Sequence, residues 1–449
     1  MPFRLPALSE FHKKALLTGV VIMLGLVVFE VALRMSGMSF DRREPPGWLQ
    51  SLVDPPLPAM PTKRDPISDV ALPRVDSTDV QLPLRTSEVI IPAGKRPPPD
   101  RSVWRQPPLY RFDPITGVTH NPRVEGWWMV EGVTYVTIND EGFRDRNHVV
   151  AKGPEEFRVV VLGDSNAEAF QVPQEYTFWS VLERRLQSCP WLSRRPVEVL
   201  NFGVSGFSTT QELLSYEKFA RKYRPDIVLL AFFIGNDLRE NVRSLTEAGP
   251  DIGILRPFHT VSGDALVLDD SFLKATADWG KSQWYERSRI VRLVQMVASW
   301  FKYRSLRTVD ARALISPPDP EYEGAWKVTE KILARLNAEV TADGSRLVVA
   351  TVSTAQQADP DPERRARNAR QGSIQDLFYS DKRLYRLARE IGFEMIPLAV
   401  AMSEVAERTN SYFHGFPNTA AGVGHWNPSG HSVAGQIIAR EICRASPAR

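Results

Sequence analysis

The chain has 449 residues, 43 % of them hydrophobic, enough for one large core with appendages or for two or three domains. A net charge of +3, with no basic run interleaved with aromatics, argues against a nucleic-acid partner. The seven histidines show no metal-ligand spacing, and neither a Walker-type glycine loop nor a dinucleotide fingerprint occurs, so neither a cofactor nor a metal is expected.

Residues 15–33, ALLTGVVIMLGLVVFEVAL, form a nineteen-residue apolar run, close to the length of a bilayer core. No small-x-small cleavage site follows at once, so the run predicts an uncleaved N-terminal membrane anchor within residues 1–40 rather than a signal peptide. Glu30 lies four residues before Arg34, a helical pairing distance near the interface. Arg4, Lys13 and Lys14 before the run nearly balance Arg34, Arg42 and Arg43 after it, so charge alone does not orient it. Residues 41–103 follow as a proline-rich linker, with thirteen of the chain's 35 prolines between Asp41 and Asp100 and no helical period.

Residues 104–449 read as one domain. Its first part, 104–150, predicts a β-hairpin extension: Trp127–Val130 and Val133–Ile138 are two strands joined through Glu131-Gly132. Trp127 and Trp128 are read as packing residues, with a sugar site as the alternative. Val159 to Leu162 then form a short buried strand, ended by the turn Gly163-Asp164-Ser165. Two more strands end in turns, Val197 to Asn201 before Gly206, and Asp226 to Ile234 before Gly235-Asn236-Asp237. Helices are predicted at about 177–187 and 210–223, and further strands at 346–352 and 393–398. Strands alternating with helices indicate a parallel sheet covered on both faces. Residues 238–321 interrupt the alternation as an insertion or cap, with a helix over Arg287–Arg307 whose apolar stripe either packs on the core or touches a membrane surface. Near the C-terminus, Gly424-His-Trp-Asn-Pro-Ser-Gly-His431 precedes a last helix, with Asn427 as N-cap and Pro428 at its first position. Cys189 ends the helix after the Ser165 strand and Cys443 lies in the last helix, either as a disulfide or as two buried thiols.

These four stretches, in this order, resemble the SGNH (GDSL-type) hydrolase superfamily over about residue 139 to the C-terminus, with Ser165, Gly206, Asn236 and His425 at the name-giving positions. The stretch Asn139-Asp-Glu-Gly-Phe-Arg-Asp145 is similar to one found before the serine strand in membrane-anchored members. The resemblance implies an α/β, flavodoxin-like three-layer sandwich with a parallel sheet (the SGNH hydrolase fold). It also implies an outward-facing, extracytoplasmic (periplasmic) domain tethered to the membrane.

Acyl transfer needs a nucleophile, a base and donors aimed at the developing oxyanion. The resemblance assigns Ser165 as nucleophile and His425 as base. It makes the oxyanion hole from the backbone N–H groups of Ser165 and Gly206 and the side-chain amide of Asn236. His431, in the first turn of the last helix, is the rival base. The aspartate usual two or three residues before the histidine is absent, since Gly422 and Val423 stand there. Either a backbone carbonyl or a carboxylate from elsewhere orients His425, or activity is lost. The expected function is a serine esterase or O-acyltransferase acting on ester-linked acyl groups, O-acetyl groups of cell-surface carbohydrate first. The alternatives are a non-catalytic polysaccharide-binding or assembly protein and a lipid esterase.

Overall fold

The computed structural model describes residue 25 and residues 65–83, 91–99, 106–192, 195–247, 256–276, 313–314, 318 and 320–445. The predicted anchor at 15–33, apart from Gly25, and the predicted helix Arg287–Arg307 lie outside the described residues. Among the described residues, no helix is long and apolar enough to cross a membrane. The helix Pro320–Ala342 has the length, 23 residues, but carries Glu321, Glu323, Lys327, Glu330, Lys331, Arg335 and Glu339 along it. The expectations of a single-pass anchor, of the membrane as a partner and of an extracytoplasmic domain find no spanning helix among the described residues and are set aside.

The core belongs to one compact unit made of residues 57–247, 251–273 and 308–449. Two small antiparallel hairpins come first: β1 (Tyr110–Asp113) with β2 (Gly117–His120), and β3 (Glu125–Trp128) with β4 (Thr134–Thr137). Trp127 and Trp128 are both buried. Trp127 stands opposite Tyr135 on the partner strand. Trp128, with Val136 and Ile138, packs against Phe170, ring centroids of Trp128 and Phe170 lying 5.4 Å apart. This contact seats the β3–β4 hairpin beside the turn that follows the Gly-Asp-Ser stretch.

The central sheet contains β5 (Phe157–Gly163), β6 (Val197–Asn201), β7 (Ile227–Phe233), β10 (Arg346–Val352) and β11 (Glu394–Ile396). Between β7 and β10 a separate antiparallel hairpin, β8 (Phe258–Ser262) with β9 (Ala265–Asp269), rises from the insertion. The five central strands are all parallel, in the order β11-β10-β7-β5-β6. Continuous runs of Val, Ile and Leu in β5 and β7 suit strands buried on both faces, and every residue of β5 is buried. Gly163 pairs with Ala231 and Ala231 with Ala350, so the carboxyl ends of β5, β7 and β10 open at one edge. Such an edge is where ligand sites of open α/β sheets form.

The helices Phe178–Leu186, Leu398–Thr409 and Pro428–Arg444 close one face of the sheet, with Trp179, Leu182, Met402, Val433 and Ile437 over Val159, Val161 and Leu229. Thr209–Ser215 and Pro320–Ala342 contact β5 and β10. Cys189 and Cys443 form a disulfide that ties the end of the first of these helices to the last. Residues 65–83 of the proline-rich stretch are not free. They lie along the core, with Val75 buried in it, the Gln81 N–H donating to Gln436 Oε1 at 3.1 Å and the Tyr379 hydroxyl donating to Asp65 at 3.0 Å. Prolines keep this segment extended, and long-range partners keep it docked.

Candidate active site

β5 delivers its last residue, Gly163, to a tight turn, and Ser165 starts the short helix Ser165–Glu168. Asp164 caps that helix by accepting the Asn166 N–H at 2.8 Å. Ser165 is thereby held at the sheet edge, partly exposed. From the other end of the chain, the helix Pro428–Arg444 is capped by Asn427, whose side chain accepts the N–H groups of Ser429 and Gly430 at 3.0 Å each. This cap fixes the loop before it, and His425 sits in that loop.

Ser165 Oγ and His425 Nε2 are 2.8 Å apart. His425 Nδ1 lies 2.7 Å from Glu131 Oε2, and the His425 backbone N–H donates to the same oxygen at 3.1 Å. The carboxylate missing before the histidine is supplied from 294 residues upstream, at the tip of the β3–β4 hairpin. Sequence reasoning saw Glu131-Gly132 only as a hairpin turn. A physical trace of the contact does exist at Gly132. Its φ is +67°, and a Cβ there would lie 2.3 Å from the Gln171 carbonyl oxygen, so the turn is pressed onto backbone just beyond the serine helix.

Burial disfavours the charged imidazolium of His425, and the Glu131 carboxylate outweighs that effect, so the pKa of His425 is raised above 6.5. Burial also pushes the Glu131 carboxyl up, and its bonds to His425 bring it below the usual glutamate value. The two side chains keep 30 % and 22 % of their exposure, so the pair is reachable from solvent yet partly desolvated.

The turns after β6 and β7 flank Ser165. Gly206 has a φ of +76° in a turn closed by the Phe207 N–H on the Val204 carbonyl at 3.1 Å. Its carbonyl accepts from Arg256 Nη2 at 2.7 Å, and Arg256 in turn pairs with Glu240 at 2.7 Å. The Asn236 side chain lies near the Asp164 carboxylate and favours its charged form, and its Oδ1 is buried without a partner among the described residues. Ser165 and His425 are thus joined directly, whereas Gly206 and Asn236 stand on neighbouring turns. Glu168, also missed from sequence, links these parts. It is buried, and it accepts from the Tyr110 hydroxyl at 2.9 Å and the Ser205 N–H at 2.9 Å, with His120 Nε2 at 2.7 Å.

His431 takes no part in the relay. It is buried, its ring stacks on Phe178, and its Nδ1 accepts the Phe178 N–H at 3.2 Å. Burial holds its pKa well below 6.5. Among the described residues no group of three or more His, Cys, Asp and Glu side chains is placed to hold a metal ion.

No family model matches the chain, and no curated protein matches it. Solved structures do resemble it. LAE5, an alpha/beta hydrolase enzyme from the metagenome of Lake Arreo, Spain, is 15 % identical over 66 % of this chain and 97 % of its own, with a TM-score of 0.32. Axe2, an acetylxylan esterase from Geobacillus stearothermophilus, is 13 % identical over 65 % of this chain and 96 % of its own, with a TM-score of 0.33. The acetyl xylan esterase AlAXEase is 14 % identical over 64 % and 99 %, with a TM-score of 0.32. Likenesses this distant assign no family.

The SGNH (GDSL-type) expectation is corrected. No family model, SGNH or other, matches the chain. The SGNH family and the SGNH-type enzyme class are withdrawn, and the flavodoxin-like SGNH fold is cut back to what is observed, a central parallel sheet flanked by helices. The physical reason is the shortness of the motifs. Each reports a strand ending in a turn, and α/β enzymes at large place functional residues on such turns.

Proposed function

We propose that this chain is a serine esterase that removes ester-linked acyl groups, acetyl first, from carbohydrate. The observation that carries the reading is the continuous contact from Glu131 through His425 to Ser165. Each member has a chemical task that its position suits.

His425 Nε2 takes the Ser165 hydroxyl proton as Oγ attacks the acyl carbonyl, and the carbonyl electron pair moves onto oxygen. Glu131 holds the proton on Nδ1, fixing the tautomer, and offsets the positive charge of the imidazolium. The tetrahedral intermediate collapses, His425 gives its proton to the departing sugar oxygen, and an acyl-Ser165 ester remains. Water then repeats the sequence, with His425 again as base, and releases the carboxylic acid. For the oxyanion we assign the Ser165 and Gly206 N–H groups and the Asn236 amide, each worth about 3 kcal/mol of barrier. Reading the protein as a non-catalytic binding module rested on Gly422 and Val423, and Glu131 removes that ground. Acetylxylan esterases occur among the similar solved structures, so acetylated sugars are the first substrates to try.

The test is release of acetate from acetylated xylo-oligosaccharide, and of nitrophenol from 4-nitrophenyl acetate, by the full chain. Turnover by the parent and a loss of about 10³-fold or more in both Ser165→Ala and His425→Ala is expected. Equal turnover by Ser165→Ala, or none by the parent on either substrate, overturns the proposal.

A further inference from the structure

We infer that Asn418 is a positioning residue that acts through Glu131, latching the hairpin tip that carries the carboxylate onto the loop that carries His425. The inference rests on the serine-esterase reading for its kinetic consequences, though not for its geometry.

The β3–β4 hairpin stands apart from the central sheet as a pair of four-residue strands. A pair this small is marginal by itself. Its strands are held by Trp128 and Val136 on Phe170. Its tip, residues 129–133, runs beyond the paired strands, so its backbone groups need partners from elsewhere. Asn418 supplies them. Its Oδ1 accepts the Gly132 N–H at 2.8 Å, and its Nδ2 donates to the Gly132 carbonyl at 3.1 Å and to the Met129 carbonyl at 3.3 Å. One amide thus spans the turn on both sides of Glu131.

Asn418 belongs to the same loop as His425. The loop is internally braced: the Gly415 N–H donates to the His425 carbonyl at 3.3 Å, and the Gly422 N–H to the His414 carbonyl at 2.9 Å. The Phe416 N–H donates to Thr419 Oγ1 at 2.9 Å. Carboxylate and imidazole are therefore referenced to one piece of backbone, although they come from distant parts of the chain. A primary amide is the side chain that fits, since it both accepts from an N–H and donates to two carbonyls. Aspartate can still accept from the Gly132 N–H but cannot donate to the two carbonyls, so Asn418→Asp loses two of the three bonds and Asn418→Ala loses all three. Asn418 is itself exposed, so either substitution leaves the core intact.

The titratable groups that bear on His425 are Glu131, Asp164, Glu168, His414 and His431. Loosening the tip weakens the first and leaves the others in place. The experiment compares full-length parent, Asn418→Ala, Asn418→Asp, Glu131→Gln and the Glu131→Gln/Asn418→Ala double variant. Turnover of 4-nitrophenyl acetate is followed against pH, and the His425 imidazole is titrated by NMR. Asn418→Ala and Asn418→Asp should each lower kcat by about 10-fold with KM within about twofold. Asn418→Ala should move the acid limb to lower pH. The double variant should be no slower than Glu131→Gln alone, because the latch has nothing left to position. Losses that multiply in the double variant, or an unmoved acid limb, overturn the inference. If the parent shows no turnover, the esterase reading fails separately. The NMR titration then decides the latch: a lowered His425 pKa in Asn418→Ala supports it, and an unchanged one overturns it.

Discussion

Replacing Glu131 by Gln keeps the length and shape of the side chain and removes the charge that lies 2.7 Å from His425 Nδ1. Opposite unit charges at that separation interact by about 6 kcal/mol at an effective dielectric of about 20. The pair is 30 % and 22 % exposed, and solvent screening leaves roughly half of that at the transition state, where the imidazolium forms. About 3 kcal/mol corresponds to about 100-fold in kcat. If the new amide turns its NH₂ towards Nδ1 and selects the wrong tautomer, the loss approaches the 10⁴-fold or so typical of a serine triad deprived of its acid. The pH profile gives an independent reading. His425 acts as a neutral base, and its raised pKa places the acid limb above pH 6.5. Parent activity therefore falls as pH drops through that limb. Without Glu131, burial dominates, the pKa of His425 falls, and residual activity persists to lower pH. The assay is kcat for 4-nitrophenyl acetate from pH 4 to 9, with near-ultraviolet circular dichroism to confirm folding. A variant within about threefold of the parent, with its acid limb unmoved, would refute the role given to Glu131.

Gly424 has a φ of +76°, and a Cβ there would sit 2.5 Å from Glu131 Oε1. Gly424→Ala should lower kcat by about 10- to 100-fold, more than its small loss of thermal stability suggests, as parallel kinetics and melting will show. His431→Ala removes the acceptor for the Phe178 N–H and should cost about 1–3 kcal/mol in urea unfolding. It should leave the pH profile of the folded fraction unchanged, whereas a rate loss as deep as that of His425→Ala would reopen the choice of base. Asp381 is buried against the Thr351 hydroxyl, and burial raises its carboxyl to about 7. The folded state holds this proton, so the favourable contribution is complete below about pH 3.8 and is lost as pH climbs through about 7. Asp381→Asn should flatten that dependence and gain stability at pH 8 relative to the parent. Urea midpoints at pH 5 and pH 8 measure the difference.

What was legible in the sequence is what is local. The run Val159 to Leu162 has to be a buried strand, and Gly163-Asp164-Ser165 has to turn at its end. Asn427-Pro428 has to open a helix and leave His425 in the loop before it. Glu131 was not legible, because its role depends on a contact across 294 residues and its immediate sequence is that of any hairpin turn. The proline-rich stretch was readable as extended, but its docking depends on distant partners such as Gln436 and Tyr379. The family name failed for a related reason. Short motifs encode the turns at strand ends, and turns of that kind recur across α/β proteins whose remaining sequence has diverged. The pairing of Cys189 with Cys443 stayed open in the sequence because it depends on how two helices lie against one face of the sheet.

The most direct measurement is covalent capture of the nucleophile. The full chain is incubated with a fluorophosphonate, and the adduct is located by peptide mass mapping. The account predicts one adduct, on Ser165, formed more slowly in Glu131→Gln and His425→Ala and absent in Ser165→Ala. No adduct in the parent, or an adduct on another serine that persists in Ser165→Ala, would contradict it.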